Sequence, residues 1–143
     1  MDSTIHIGKE VDILSNKIKR KINNKVSKYG LTGIQGKIIG FIYNESKKRD
    51  IFQKDIEEEF NIRKSSVTSV IQLLEKKEFI KRISVCEDGR FKKLILTEKG
   101  IKLHLDVYKE ILELEANIEN QFTNEELEVF KKLLSKLNEK IKD

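Results

Sequence analysis

A chain of 143 residues has the length of one domain, and its 37% charged and 38% hydrophobic side chains favour a fold rich in solvated helix. The single cysteine excludes an internal disulfide framework, and no apolar run approaches the ~18 residues of a membrane span, so we expect a cytoplasmic protein without membrane contact. The absence of proline and the small number of glycines (seven) argue against an all-β fold.

The first part of the chain predicts two helices. Apolar residues spaced by three or four from Ile7 to Tyr29 form one stripe on a helix of about 25 residues, and Gly30 is a typical helix stop. Thr32 and Gln35 have the spacing of a capping box, which predicts a second helix that ends near Asn44.

The middle of the chain predicts two short helices and a β-hairpin. After a short strand at 51–52, residues 53–60 form two helical turns and residues 61–63 connect them to a helix over 64–78, an arrangement typical of a helix-turn-helix. The β-rich runs 79–85 and 91–96 lie on either side of an Asp-Gly pair, which is a strong hairpin signal.

The last part predicts two more helices. Thr97 is suited to be the N-cap of a helix whose apolar stripe begins at Ile101, and Thr123 with Glu126 predicts a second capping box before the final helix. The terminal helices carry more apolar surface than a small central zone can cover, so we expect an obligate dimer.

No set of residues supports catalysis. His6 and His104 lie far apart and belong to no metal-binding motif, and one cysteine cannot build a structural zinc site. Lys37 lacks the glycine spacing of a phosphate-binding loop. We therefore predict no enzyme, no catalytic residues, no cofactor and no metal site.

The start of the 64–78 helix carries the strongest functional signal. No acidic residue occurs from 61 to 74, a helix N-terminus favours phosphate, and short hydroxyl side chains let a helix enter a major groove. From 61 to 96, nine basic side chains stand against four acidic ones. The predicted DNA-binding residues are Lys64, Ser65, Ser66, Thr68 and Ser69 on the helix, and Arg90, Lys92 and Lys93 on the hairpin.

These motifs resemble the MarR family of winged helix-turn-helix transcriptional regulators over essentially the whole chain. Residues 88–97 (DGRFKKLILT) are similar to the family's D-x-R-x-x-x-L-x-L-T wing signature, and the following Glu-Lys-Gly is also typical. Residues 31–35 and 65–77 resemble the family's second helix and its recognition helix. The chain departs from the family at Glu57, Arg63 and Ser69, and at Glu78, where relatives usually have Gly.

The resemblance implies a mainly α fold with a small β-hairpin wing, in which a winged helix-turn-helix at 32–97 is flanked by dimerisation helices at 1–29 and 101–143. Residues 1–143 would form a single winged-helix domain. It also implies a homodimer on an inverted-repeat operator in double-stranded DNA, with Asp88 orienting Arg90. Relatives that bind small aromatic effectors release DNA, and the residues of an effector site stay unassigned here.

We therefore predict that the protein is a homodimeric, sequence-specific DNA-binding repressor. One alternative is an architectural winged-helix protein that binds DNA without an effector. Another is a winged-helix module that binds proteins.

Overall fold

Across residues 4–87 and 89–142, which the computed structural model describes, the chain forms six α-helices and one antiparallel β-hairpin. The elements in chain order are α1 (Ile7–Ser27), α2 (Gly33–Glu45), α3 (Gln53–Phe60), α4 (Lys64–Lys76), β1 (Ile80–Ser84), β2 (Lys92–Leu96), α5 (Glu98–Glu119) and α6 (Asn124–Lys140). They group into two compact units, one up to Glu110 and one from Ile111. The single domain over 1–143 stays a prediction.

The core of the first unit is built from branched apolar side chains of the central elements. Every helix from α2 to α4 has at least one fully buried apolar residue, and the first residue of β1 is also buried. The most buried of these side chains are Ile38, Ile42, Ile51, Ile56, Val67, Ile71, Leu74 and Ile80. Burial of each such side chain stabilises the fold by about 1.5–3 kcal/mol, so this core fixes where α3 and α4 lie.

Local capping signals place the start of α2 where the sequence predicts it. Gly30 adopts φ +76°, which ends the first helical segment. The Thr32 hydroxyl accepts a hydrogen bond from the backbone N–H of Gln35 at 3.4 Å. The Gln35 side-chain oxygen accepts one from the backbone N–H of Thr32 at 3.1 Å. A third hydrogen bond, outside the capping box, also satisfies the start of α2: Asn23 Oδ1 of α1 accepts from the Gly33 N–H at 2.7 Å.

The helix-turn-helix has the predicted boundaries except at its end. α3 spans residues 53–60 and α4 begins at Lys64, as predicted. Asn61 between them is left-handed, with φ 50°. α4 ends at Lys76 rather than at residue 78, because Glu78 turns the chain with φ 65°. A left-handed backbone favours glycine, which is the residue that MarR-like sequences usually have where this chain has Glu78.

The hairpin is antiparallel and slightly shorter than predicted, with Ile80 opposite Leu96 and Ser84 opposite Lys92. The prediction of a strand at 51–52 is wrong. This segment is extended and its Ile51 carbonyl accepts one hydrogen bond from the Leu94 N–H at 2.7 Å, but no ladder of bonds follows.

α5 begins at a tight junction with the end of α4. Thr97 accepts from the Gly100 N–H at 3.0 Å, which confirms it as a cap, and its hydroxyl donates to the Glu78 carbonyl at 2.6 Å. A Cβ on Gly100 would stand 2.2 Å from the Phe79 carbonyl oxygen. Only glycine therefore fits here without a shift of the backbone.

The second unit contains the end of α5 and the whole of α6. Thr123 and Glu126 form the predicted capping box, with bonds of 3.1 and 2.9 Å. Phe122 contacts Phe130 with ring centroids 5.3 Å apart. No residue of α6 is buried, although its apolar stripe is long. Within the described ranges, no helix is long and apolar enough to cross a membrane.

Candidate nucleic-acid interface

One face of α4 is exposed along its whole length. Ser65, Ser69, Gln72 and Lys76, which we call the α4 stripe, follow each other at intervals of four, three and four and are all exposed. On the opposite face Val67, Ile71 and Leu74 are fully buried. The structure thus places the predicted Ser65 and Ser69 on one surface and adds Gln72 and Lys76 to it.

Thr68 differs from the other predicted hydroxyl residues. It is half-buried, its hydroxyl donates to the Lys64 carbonyl at 2.9 Å, and it accepts from Gln53 Nε2 of α3 at 2.7 Å. Its donor is therefore used inside the protein, and Thr68 links the two helices. The sequence analysis missed Gln53, whose partner lies fifteen residues further along the chain.

The remaining predicted residues of α4 lie at its exposed first turns. Lys64 and Ser66 are exposed. The Ser69 hydroxyl donates to the Ser65 carbonyl at 3.1 Å, one helical turn earlier, so toward a ligand it can only accept. The α4 N-terminus has no acidic residue in its first turn, and its free N–H groups favour an anion.

The hairpin separates the cations that the sequence places side by side. Lys92 is exposed, whereas Lys93 is half-buried and its ammonium lies 3.5 Å from Asp50 Oδ1. The two side chains point to opposite faces because neighbours on a strand alternate. Lys93 therefore holds β2 to the segment before α3, and Lys92 is the more accessible cation.

Arg90 is exposed and follows Gly89, which adopts φ +70° at the tip of the hairpin. Positive φ is the reason for glycine at this turn. Asp88 lies outside the described residues, so its orienting role stays a prediction.

Polar contacts hold α4 and the hairpin in fixed positions. Arg82 Nε of β1 lies 3.4 Å from Glu75 Oε1 of α4. Lys77 Nζ donates to the Gly30 carbonyl at 3.1 Å, and Lys99 Nζ donates to the Lys77 carbonyl at 3.0 Å. The C-terminal end of α4 is therefore tied to three other parts of the first unit.

His104 is buried where α5 packs on α2. Its ring lies 4.4 Å from that of Tyr43 and 5.6 Å from that of Tyr108. Burial lowers the pKa of His104, and the positive charge of Lys47 lowers it further, so the ring is held neutral. The described residues contain no group of three or more His, Cys, Asp and Glu side chains that could hold a metal ion.

A cavity of about 420 Å³ lies between the C-terminal half of α1 and the start of α2. Its wall combines apolar side chains of both helices with two ammonium groups. The lining residues are Lys19, Ile22, Asn23, Thr32, Gly33, Ile34 and Lys37. The size falls within the range of small-molecule sites, and the lysines favour an anion.

Residues 29–90 match the family model described as the MarR family. The Staphylococcus aureus MepR–DNA complex is 26% identical, with a TM-score of 0.90 over 96% of this chain and 99% of that chain. MepR in its DNA-binding conformation is 26% identical, with a TM-score of 0.85 over 96% and 100%. The transcription regulator MarR from Oenococcus oeni PSU-1 is 29% identical, with a TM-score of 0.76 over 94% and 99%. No relative was found among curated proteins.

Proposed function

We propose that this chain, whose residues 29–90 match the MarR family model, is a homodimeric transcriptional repressor that binds double-stranded DNA and leaves it when a small ligand binds. A DNA-binding transcription regulator is the function that the family and the similar structures support. We place its action in the cytoplasm.

The observation that carries the proposal is the α4 stripe. A helix enters a major groove only where its side chains are short or can contact base edges. Ser65 and Ser69 are short, and Gln72 and Lys76 can donate hydrogen bonds. The helix is also fixed by contacts on its flank and at its end, so its outward face is presented without further folding.

Exposed cations around this face would hold the phosphate backbone. Lys64 lies at the start of α4, and Arg90 and Lys92 lie on the hairpin. Such contacts supply affinity and register without reading sequence. We assign Lys93 a smaller part, because its charge is paired with Asp50.

A second copy of the chain is the proposed cover for the exposed apolar side chains of the terminal helices. In α1, Val11 and Leu14 are nearly half exposed. On α6 the exposed apolar residues are Val129, Phe130, Leu133, Leu134 and Leu137. Surfaces of this kind are typical of obligate interfaces, and a symmetric dimer pairs each patch with a copy of the same surface.

The effector part of the proposal rests on the cavity between α1 and α2. A small aromatic acid could place its carboxylate near Lys19 or Lys37 and its ring against Ile22 and Ile34. Benzoate is a suitable first probe. We expect it to weaken DNA binding of the natural chain and to lose this effect in Lys37→Ala. Equal DNA affinity with and without benzoate would contradict the assignment of aromatic acids to this cavity.

A gel-shift series tests the proposed DNA binding. DNA flanking the gene of this protein should contain an inverted repeat whose half-site centres lie about 10 base pairs apart, because both α4 helices must meet the groove on one side. Inserting about five base pairs between the half-sites should abolish tight binding at fixed salt, since one half-site then faces away. Equal affinity for the inserted and natural spacings would contradict the rigid dimer.

The two alternatives give different results in the same series. An architectural protein would bind all duplexes with similar affinity and strong salt dependence. A protein-interaction module would bind none of them.

A further inference from the structure

Gln72 is a side chain of the α4 stripe to which the proposed function assigns no particular base. It is exposed, and its amide has no hydrogen-bond partner within residues 4–87 and 89–142. On one side of the stripe lie Thr68 and Glu75, which contact Gln53 and Arg82. These contacts fix the helix on which Gln72 stands.

The hydroxyl groups of α4 are less suited to read a base pair than the sequence indicates. Thr68 and Ser69 both donate their hydrogens to carbonyls of the same helix, so each can only accept from DNA. Ser65 and Ser66 have one short hydroxyl each. Within α4, Gln72 alone presents a donor and an acceptor in one plane, at Nε2 and Oε1.

We propose that Gln72 determines specificity by reading one adenine in each half-site of the operator. Adenine presents an acceptor at N7 and a donor at N6 on its major-groove edge, and a glutamine amide pairs with both. Gln72 stands seven residues beyond Ser65, or about 10 Å along the helix axis. The adenine therefore lies up to about three base pairs from the contacts of Ser65. This inference rests on the proposed DNA binding.

Selection from a pool of random duplexes tests the assignment with the full chain. The natural chain is compared with Gln72→Ala, which removes the amide, and with Gln72→Glu, which leaves only acceptors. Asn44→Ala is the matched control, since it removes an exposed amide from α2, outside the α4 stripe. All four proteins should show the same helix content by circular dichroism, because both positions are exposed and no amide contact is lost.

We expect the natural chain and Asn44→Ala to enrich an inverted repeat with adenine at one fixed position of each half-site. Gln72→Ala should accept all four bases there, with a loss of discrimination of about tenfold or more. Gln72→Glu should prefer cytosine, whose N4 group is a donor. This change of base at one position supports the proposal.

Two results would overturn it in distinguishable ways. If the natural chain enriches an inverted repeat and both Gln72 variants enrich the same repeat, or change a position other than an adenine, the role of Gln72 is wrong and DNA binding stands. If the natural chain enriches no sequence, the proposed function fails and this inference fails with it.

Discussion

Replacing Leu133 and Leu137 by Asp should separate the proposed dimer into protomers. The two leucines lie one turn apart on α6 and are 54% and 41% exposed in the single chain. Complete burial of a leucine contributes about 1.5–3 kcal/mol, so covering these half-exposed side chains contributes about 1 kcal/mol each. In a two-fold dimer each position occurs twice, which gives about 4 kcal/mol before the cost of burying carboxylates is added.

A loss of about 4 kcal/mol raises the dissociation constant by about a thousandfold. Sedimentation equilibrium over a range of protein concentrations measures this change directly. The control is Ser135→Asp with Lys132→Gln, which changes the net charge by the same two units at exposed positions on the other side of the same helix. We expect the control to keep the mass of the natural chain.

The result that refutes the reasoning is an unchanged dimer mass for the leucine variant at every concentration. A monomer mass for the natural chain would refute it as well, because the exposed apolar side chains of α6 would then have no second copy to cover them. A monomer produced equally by the leucine variant and by the control would show that added charge, and not lost apolar contact, separates the subunits.

Three further predictions address DNA contact, packing and pH. Arg90→Ala should lower the slope of log affinity against log salt by about one, as for a lost phosphate contact, and a changed base preference at constant slope would contradict this. Gly100→Ala should destabilise the fold by about 1–3 kcal/mol in thermal unfolding, because its Cβ meets the Phe79 carbonyl, whereas Gly8→Ala, in open space, should not. The free energy of unfolding should fall as pH drops below about 6.5, because unfolded His104 then takes up a proton that the buried ring, with its lowered pKa, does not. His104→Phe should remove this part of the dependence in urea titrations, and identical pH curves for both proteins would contradict it.

Features set by neighbouring residues could be predicted from the sequence. The capping boxes at Thr32 and Thr123 and the bounds of α3 were confirmed, because each depends on side chains within one turn of the backbone. Contacts between distant segments could not be predicted in this way. The periodicity of α4 does not show that Gln53 engages Thr68, nor does the basic run on β2 show that Asp50 pairs with Lys93.

The same distinction applies to the strand predicted before α3. β-branched and aromatic residues at 51–52 are locally suited to a strand, but a strand needs a partner ladder, and the chain turns into α3 after one bond to Leu94. The outward face of α4 was predicted in part, since hydroxyl residues near a helix start were visible in the sequence. The role of Gln72 was not predicted, because it depends on which hydroxyl groups of α4 already donate hydrogen bonds inside the protein.

The anchoring of α4 constrains how a ligand could release DNA. Gln53 holds the first half of this helix, and Arg82 and the backbone of Gly30 hold its end, all within the first unit. A ligand that altered the α4 stripe itself would have to break these contacts together with the buried packing of Ile71 and its neighbours. A change in the distance between the two α4 helices of a dimer requires none of this, because one subunit can turn against the other with each helix intact. We therefore expect an effector to lower the affinity for a complete inverted repeat far more than the weak affinity for one half-site. An equal loss on both duplexes would place the effect within α4 instead.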